Sequence, residues 1–380
     1  MSADAVNRGT SLYLHVPFCA SSCDFCAFYQ EQPKRADLER YLEGVEQELA
    51  LDPPGRVDTV FWGGGTPGLL PAEDLARLGR AVTRAAGRPE EWTVELAPSS
   101  VRADKLAALR EAGVTRVSLG VQSFDATTLE ALGRRHSPKQ VEEAWSLIEA
   151  AGFASRNVDL MFAIPGQDES RWTDDLARAV DLGPDHISTY CLTFEEDTAM
   201  YVKLSQGKVK IDRELEAFLY RRTWELLARH GFAQYEVSNF ARPGRACRHN
   251  LITWEMGEWR GYGPSAASQW RRERWSSPAD LDGWLRGVQG GAAAREHVRR
   301  LSAPDLLADA LVFGLRMNAG VNPFGLAERF GTELPAGVSA LFADLVEEGL
   351  MELSGDRFRL TDEGRLRADA AGVAVLEKFS

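Results

Sequence analysis

Cys19, Cys23 and Cys26 lie within eight residues of one another, in the run His15-Val16-Pro17-Phe18-Cys19-Ala20-Ser21-Ser22-Cys23-Asp24-Phe25-Cys26. Three thiolates at C-x3-C-x2-C spacing on one short loop can hold three corners of an iron–sulfur cube, where four would close it. The fourth iron then keeps an open position, which a metal centre needs in order to bind and activate a ligand. Zinc is the competing reading. Structural zinc sites pair C-x2-C modules and close with a fourth ligand, which here would come from Cys191, Cys247 or a distant histidine. Phe18 and Phe25 would shield a cluster from water, and Ala20, Ser21 and Ser22 are small enough to let it in.

Other residues could serve the same centre. Gly63-Gly64-Gly65-Thr66-Pro67 follows an apolar run, and glycines there permit positive φ and close approach of backbone to a ligand. An ordinary tight turn would use them equally well. Glu95, Gln122 and Arg134 each have a plain reading, as a solvated acid, a helix cap and a surface charge. Asp159 is harder to dismiss, because it stands inside the apolar run Asn157-Val158-Asp159-Leu160-Met161 and a buried acid requires a partner.

The elements that must position these residues follow from periodicity. Strands are expected at 11–16, 58–62, 92–95, 116–120, 155–161 and 186–192, and helices at 37–50, 71–86, 102–112, through a region ending at Ala151, and at 170–182. Gly113 and Gly152 stand where helices stop. Six strands alternating with helices imply parallel β/α units with right-handed crossovers, wound into an open or partial barrel. Such folds collect their chemistry at the C-terminal strand ends. The cysteine loop, the glycine run, Glu95, Gln122, Asp159 and the 193–196 segment all fall there.

Beyond Gln206 the pattern changes. A long helix is expected at 213–230, and 235–270 is rich in aromatics and glycine with little periodicity. The stretch 276–299 reads as a connector. Helices at 304–317 and 336–349, then a hairpin turning at Ser354-Gly355-Asp356, resemble a small winged-helix unit. Acidic Asp344, Glu347 and Glu348 on its helix argue against DNA. The expected division is 1–235, 236–300 and 301–380.

Bulk composition narrows the setting. The chain has 380 residues, 44% hydrophobic and 26% charged, with a net charge of −12. That size supports one large domain plus a smaller one, and the acidity argues against nucleic acid as a partner. Membrane contact is at most peripheral, since no apolar run approaches the roughly 20 residues of a span. Five cysteines, three of them clustered, point to a reducing cytoplasm rather than a disulfide framework. Met1–Arg8 lacks the basic and apolar regions of a secretion signal.

The cysteine loop resembles that of the radical S-adenosylmethionine (SAM) superfamily. That resemblance implies a 4Fe-4S cluster whose open iron binds SAM, with an electron donor such as flavodoxin or ferredoxin, on a partial (β/α)6 barrel with a smaller C-terminal helical module. The chain is similar, more narrowly, to the oxygen-independent coproporphyrinogen III oxidases and related heme chaperones. This likeness runs through Gly120-Val121-Gln122-Ser123-Phe124, Gly133-Arg134-Arg135-His136, Pro165-Gly166, His186-Ile187-Ser188-Thr189-Tyr190, Tyr235-Glu236-Val237-Ser238-Asn239-Phe240, Arg248-His249-Asn250 and Gly261-Tyr262-Gly263-Pro264-Ser265-Ala266. It implies that Tyr13, Gly64, Glu95 and the backbone near Ala267 contact cluster-bound SAM. Phe25, Gly65, Thr66, Gln122, Arg134, Asp159 and Thr193 fall at positions lining a second SAM.

Two departures favour the chaperone branch. The oxidases resemble C-x3-C-x2-C-x-C, and Phe28 occupies the position of their fourth cysteine. They also carry a long arm before the first strand, where this chain has ten residues before Ser11. The resemblance thus implies heme or porphyrin as ligand, delivery to a haemoprotein such as a respiratory enzyme, and room for a homodimer. Decarboxylation of coproporphyrinogen III in porphyrin biosynthesis is the alternative, and a radical enzyme acting on heme itself a third. His249 sits in a stretch that resembles the chaperone motif H-N-x-x-Y-W with Thr253 in place of tyrosine. It is the candidate axial ligand, with Cys247 as its rival. Arg242, Arg245 and Arg248 match propionate geometry, or form a solvated basic loop.

Overall fold

The computed structural model describes residues 9–379; the run Met1–Arg8, read as lacking a signal, lies outside them. The parallel strands are β1 (Thr10–Val16), β2 (Thr59–Gly64), β3 (Glu91–Leu96), β4 (Arg116–Gln122), β5 (Ser155–Phe162) and β6 (His186–Cys191). They lie side by side in chain order. Between them run helices α1 (Arg35–Leu51), α2 (Ala72–Ala86), α3 (Ala103–Ala112), α4 (Ala126–Ala131), α5 (Pro138–Ala151) and α6 (Glu169–Asp181). This is the partial barrel expected from the alternation. Helix boundaries obey local chemistry. Ser137 and Gln140 form a reciprocal capping box, Pro138 opens α5, and left-handed Gly152 closes it.

The strands are two-faced. Leu12, Leu14, Val60, Trp62, Val94, Val117, Leu119, Val158, Leu160 and Ile187 point outward and pack under the helices in one core. Parallel strands buried on both faces are usually apolar throughout. Here the inner face is polar instead. The register sets Ser118, Asn157 and His186 side by side, then Gly120, Asp159 and Ser188 one step toward the C-terminal rim.

Beyond β6 come α7 (Ala199–Ser205) and α8 (Arg213–Arg229), and then β7 (Ala233–Glu236) and β8 (Asn239–Ala241), which extend the sheet past β6. Helix α9 (Arg248–Trp254) follows. Strands β9 (Glu258–Tyr262), β10 (Ala267–Trp270), β11 (Glu273–Ser276) and β12 (Glu296–Arg300) extend the opposite edge, with β9 parallel to β1. The stretch 276–299, expected as a connector, instead holds α10 (Leu281–Gln289) and most of β12. Trp284 and Leu285 of α10 are buried against Gly44 of α1, where a β-carbon would meet both.

Helices α11 (Ala303–Leu315), α12 (Pro323–Phe330) and α13 (Ala336–Glu347) and the hairpin Met351–Ser354/Arg357–Leu360 form the C-terminal module. Its separate core includes Leu307, Leu311, Val338, Phe342 and Met351. It hangs on the sheet edge by backbone hydrogen bonds, Val237 N–H to Arg316 O and Asn318 N–H to Tyr235 O, both 3.0 Å. No described helix is long and apolar enough to cross a membrane.

Candidate functional site

The cysteine loop leaves β1 and is pinned at several points. Glu31 N–H donates to Pro17 O (2.7 Å), Cys19 N–H to Glu31 O (2.9 Å) and Thr66 N–H to Phe18 O (2.7 Å). Asp24 fastens its middle: its N–H donates to Leu132 O, its carbonyl accepts from Met200 N–H, and its carboxylate pairs with Lys203 at 2.6 Å. All three cysteines are partly exposed. Burial lifts the Cys19 and Cys26 thiols above their ordinary range, and the Arg134 guanidinium draws both back. The Cys19 Sγ lies 3.7 Å from Thr66 Oγ1.

Among the described residues, no three His, Cys, Asp or Glu side chains converge on a point that would hold a single metal ion. A cube asks for something else, one thiolate on each of three separate irons. Three features of the surrounding residues fit a bound ligand beside it. First, the glycine run is a close-packed cradle. A β-carbon on Gly63 would lie 2.7 Å from Glu95 Oε2, one on Gly64 2.5 Å from His15 Nδ1, and one on Gly65 2.7 Å from the Phe18 and Val16 carbonyls. Second, the Gln122 side-chain oxygen and Arg134 Nε are buried without a hydrogen-bond partner. Third, Gln122 takes φ +66°, where β4 shifts register against β5. Such a conformation in a non-glycine costs about 1–3 kcal/mol and is characteristic of functional sites.

The carboxylates diverge in character. Burial, and then the Asp159 charge, push Glu95 up to about 8, and the Gly64 N–H opposes them. Asp159 is also raised by burial, but it accepts hydrogen bonds from Ser118 Oγ at 2.7 Å and Asn157 Nδ2 at 2.7 Å. Tyr13 lies on Phe61 and reaches His15 Nδ1 at 3.2 Å. Arg134 sits 5.8 Å from the Phe25 ring centre.

The structure therefore gathers Cys19, Cys26, Thr66, Gly63–Gly65, Glu95, Asp159, Arg134 and Phe25 at the C-terminal rim and upper lumen. Thr193 is exposed just past β6, and Ala267 opens β10 after the Gly263 turn. His249 is elsewhere. Its Nδ1 lies 2.9 Å from Thr59 Oγ1 at the start of β2, so α9 plugs the opposite end of the barrel. Its ring packs on Phe61, and burial pushes it down to about 4. Cys247 is buried nearby, with its Sγ 3.5 Å from Glu91. Phe28 is 67% exposed beside the cysteine loop.

Sequence reading passed over Ser118, Asn157, His186 and Tyr235 as contributors to the lumen. The available signal was period-two polarity inside otherwise apolar strands: Arg116/Ser118, Asn157/Asp159, and His186/Ser188/Tyr190.

The glycine cradle makes a prediction. Gly64 (φ +94°) meets His15, whereas Gly55 (φ +73°) has open space. Gly64→Ala is expected to destabilise the fold by about 1–3 kcal/mol, and Gly55→Ala by less, because only conformational strain applies there. Denaturant titration measures the difference; equal losses would refute the packing argument.

Known proteins resemble this chain over most of its length. A radical SAM superfamily model matches residues 13–179, and a HemN C-terminal domain model residues 301–367. A Bacillus subtilis protein named heme chaperone HemW is 31% identical over 364 residues, covering 94% of this chain and 96% of the relative. A Mycobacterium tuberculosis protein of the same name is 36% identical over 376 residues, covering 94% and 93%. The solved coproporphyrinogen III oxidase HemN from Escherichia coli, described as a radical SAM enzyme, superimposes with a TM-score of 0.84 at 22% identity, over 97% of this chain and 90% of that one. At that identity the likeness speaks for the fold.

Proposed function

We propose, because the chain belongs to the radical SAM superfamily and within it to the heme-chaperone family, that it binds heme and delivers it to haemoproteins. The observation that carries this is near-full-length likeness to proteins named heme chaperones. Cys19, Cys23 and Cys26 would hold a 4Fe-4S cluster, with SAM against Tyr13, Gly64, Glu95 and the backbone at Ala267. Phe25, Gly65, Thr66, Gln122, Arg134, Asp159 and Thr193 would face a second SAM. When bound, cluster and SAM supply one-electron chemistry at a sulfonium. The chain's own part is to position and shield. The glycine run brings backbone close, Arg134 offers a cation beside the cysteines, and Asp159, fixed by Ser118 and Asn157, would face a ligand's positive or donor groups.

The working division is 1–235 for cluster and SAM, 236–300 for heme and 301–380 as the helical module. His249 is the proposed axial ligand. Ligation through Nδ1 would require it to leave the Thr59 hydroxyl. The protein would act in the cytoplasm with a haemoprotein recipient and an electron donor, as a monomer or homodimer, without nucleic acid.

The test is anaerobic reconstitution followed by separate assays for heme capture and coproporphyrinogen III conversion. Stoichiometric heme capture without conversion is expected. Multiple turnovers to protoporphyrinogen would overturn the chaperone reading in favour of the oxidase. His249→Ala is expected to weaken heme binding and change its spectrum; an unchanged spectrum and affinity would remove it as the ligand.

A further inference from the structure

A chain of hydrogen bonds runs through the barrel from its closed end to the upper lumen. Cys247 N–H donates to Tyr235 Oη at 3.4 Å. Tyr235 Oη lies 2.9 Å from His186 Nε2, and His186 Nδ1 lies 2.6 Å from Asn157 Oδ1. Asn157 Nδ2 then donates to Asp159 Oδ1 at 2.7 Å and to Ser118 Oγ at 2.6 Å. His186, Asn157 and Cys247 are essentially inaccessible to solvent.

Donor and acceptor inventory gives this chain one direction. Asn157 must turn its amide nitrogen to the Asp159 carboxylate, because its oxygen there would oppose a negative charge. Its oxygen therefore faces His186 Nδ1, and only an N–H can sit against it. Burial holds His186 well below its ordinary range, and the Arg116 guanidinium adds to this, so the ring is neutral. The proton is on Nδ1, and Nε2 accepts from the Tyr235 hydroxyl. Each group donates toward Asp159.

We propose that His186 and Tyr235 are positioning residues for Asp159: they polarise Asn157 so that its amide orients the Asp159 carboxylate in the barrel lumen, and favours its charged form, toward the positively charged part of a sulfonium ligand. This rests on the reading above that Asp159 lines a SAM site. Other groups face the same carboxylate. Glu95 comes from β3, Arg116 and Ser118 from β4, and Ser188 and Tyr190 from β6. None of these groups reaches the carboxylate through His186; when the imidazole is removed, Ser188 Oγ at 3.4 Å is the donor left to Asn157 Oδ1.

The experiment measures binding of the second SAM equivalent to the cluster-reconstituted protein already holding one, without reductant, by calorimetry across a pH series. Asp159→Asn is expected to weaken binding. His186→Leu should weaken it roughly tenfold, in line with loss of a charge-assisted hydrogen-bond network. With less donation to the carboxylate, binding should also fail at a higher pH as the solution is acidified. His186→Asn places an amide N–H where Nδ1–H was but cannot reach Tyr235, so it should recover affinity and pH profile to about the level of Tyr235→Phe, which a purely structural role would not predict. Tyr235→Phe removes one oxygen and keeps the ring, and should give a smaller loss in the same direction if His186→Leu fails to fold. Wild-type binding and pH profile in His186→Leu, or in Tyr235→Phe where the former does not fold, beside weakened Asp159→Asn, would overturn the positioning role alone. Wild-type binding in Asp159→Asn would overturn both that role and the SAM assignment of Asp159.

Discussion

Replacing Cys19, Cys23 and Cys26 together by alanine is expected to abolish iron and sulfide uptake while the fold survives. The loop that carries them is tied down by groups other than sulfur. Glu31, Pro17, Thr66 and Phe18 bond through their backbones, and Asp24 holds Leu132, Met200 and Lys203. The three cysteines are partly exposed and stand outside the hydrophobic core. Loss of stability should therefore stay within about 0.5 kcal/mol per substitution, as for surface changes, and about 1.5 kcal/mol for the three together. Metal content should fall from a full cluster to none, read by iron and sulfide analysis and by visible absorbance. Cys191→Ala and Cys247→Ala should each keep the cluster. Loss of metal in either would revive the four-ligand zinc reading.

The second large effect concerns Glu48 on α1. It is 3% exposed, and its Oε2 accepts the Gly263 N–H at 2.8 Å. Burial pushes it from 4.5 up to about 7, partly offset by that N–H. Below pH 4.5 the carboxyl is protonated folded or unfolded, and it costs nothing. Between 4.5 and about 7 the unfolded chain releases a proton that the folded chain retains, so stability falls as pH rises. Above about 7 the penalty is constant. A shift of about 2.5 pH units corresponds to about 3 kcal/mol. Glu48→Gln keeps an acceptor for Gly263 and removes the titration. It is expected to raise stability by up to that amount at pH 8 and by little at pH 4.5. Identical gains at both pH values would show that the effect is not ionisation.

This matters for the site because Gly263 turns the chain into β10. A β-carbon there would lie 2.6 Å from His15 O, on the strand that leads to the cysteines. Helix α1 thus sets the height of the turn preceding Ala267.

Much of this was legible in the sequence. The six central strands announced themselves because their outward residues are apolar and glycines such as Gly113 and Gly152 mark where helices stop. The cysteine spacing and the glycine run stood out because their chemistry is local. Residues 236–300 were opaque for a physical reason. Strand β9 pairs with β1 across more than two hundred residues, and the strands that follow it are only four or five residues long. Nothing in a local window reveals such a partner. His249 shows the same limit. Its motif was readable, but its place at the closed end depends on Thr59, 190 positions away. Asn157 and His186 were missed because a polar residue in a strand resembles a solvent-facing one until the barrel curls its inner face away from water.

The crowding at Gly63, Gly64 and Gly65 has an evolutionary consequence. Each position is blocked by a different neighbour, Glu95 on β3, His15 on β1, and the backbone carbonyls of Val16 at the end of β1 and Phe18 just beyond it. No single substitution elsewhere makes room at all three. Drift at this corner would need coordinated changes in separate strands, so descendants of this chain should diversify around the cradle long before they alter it.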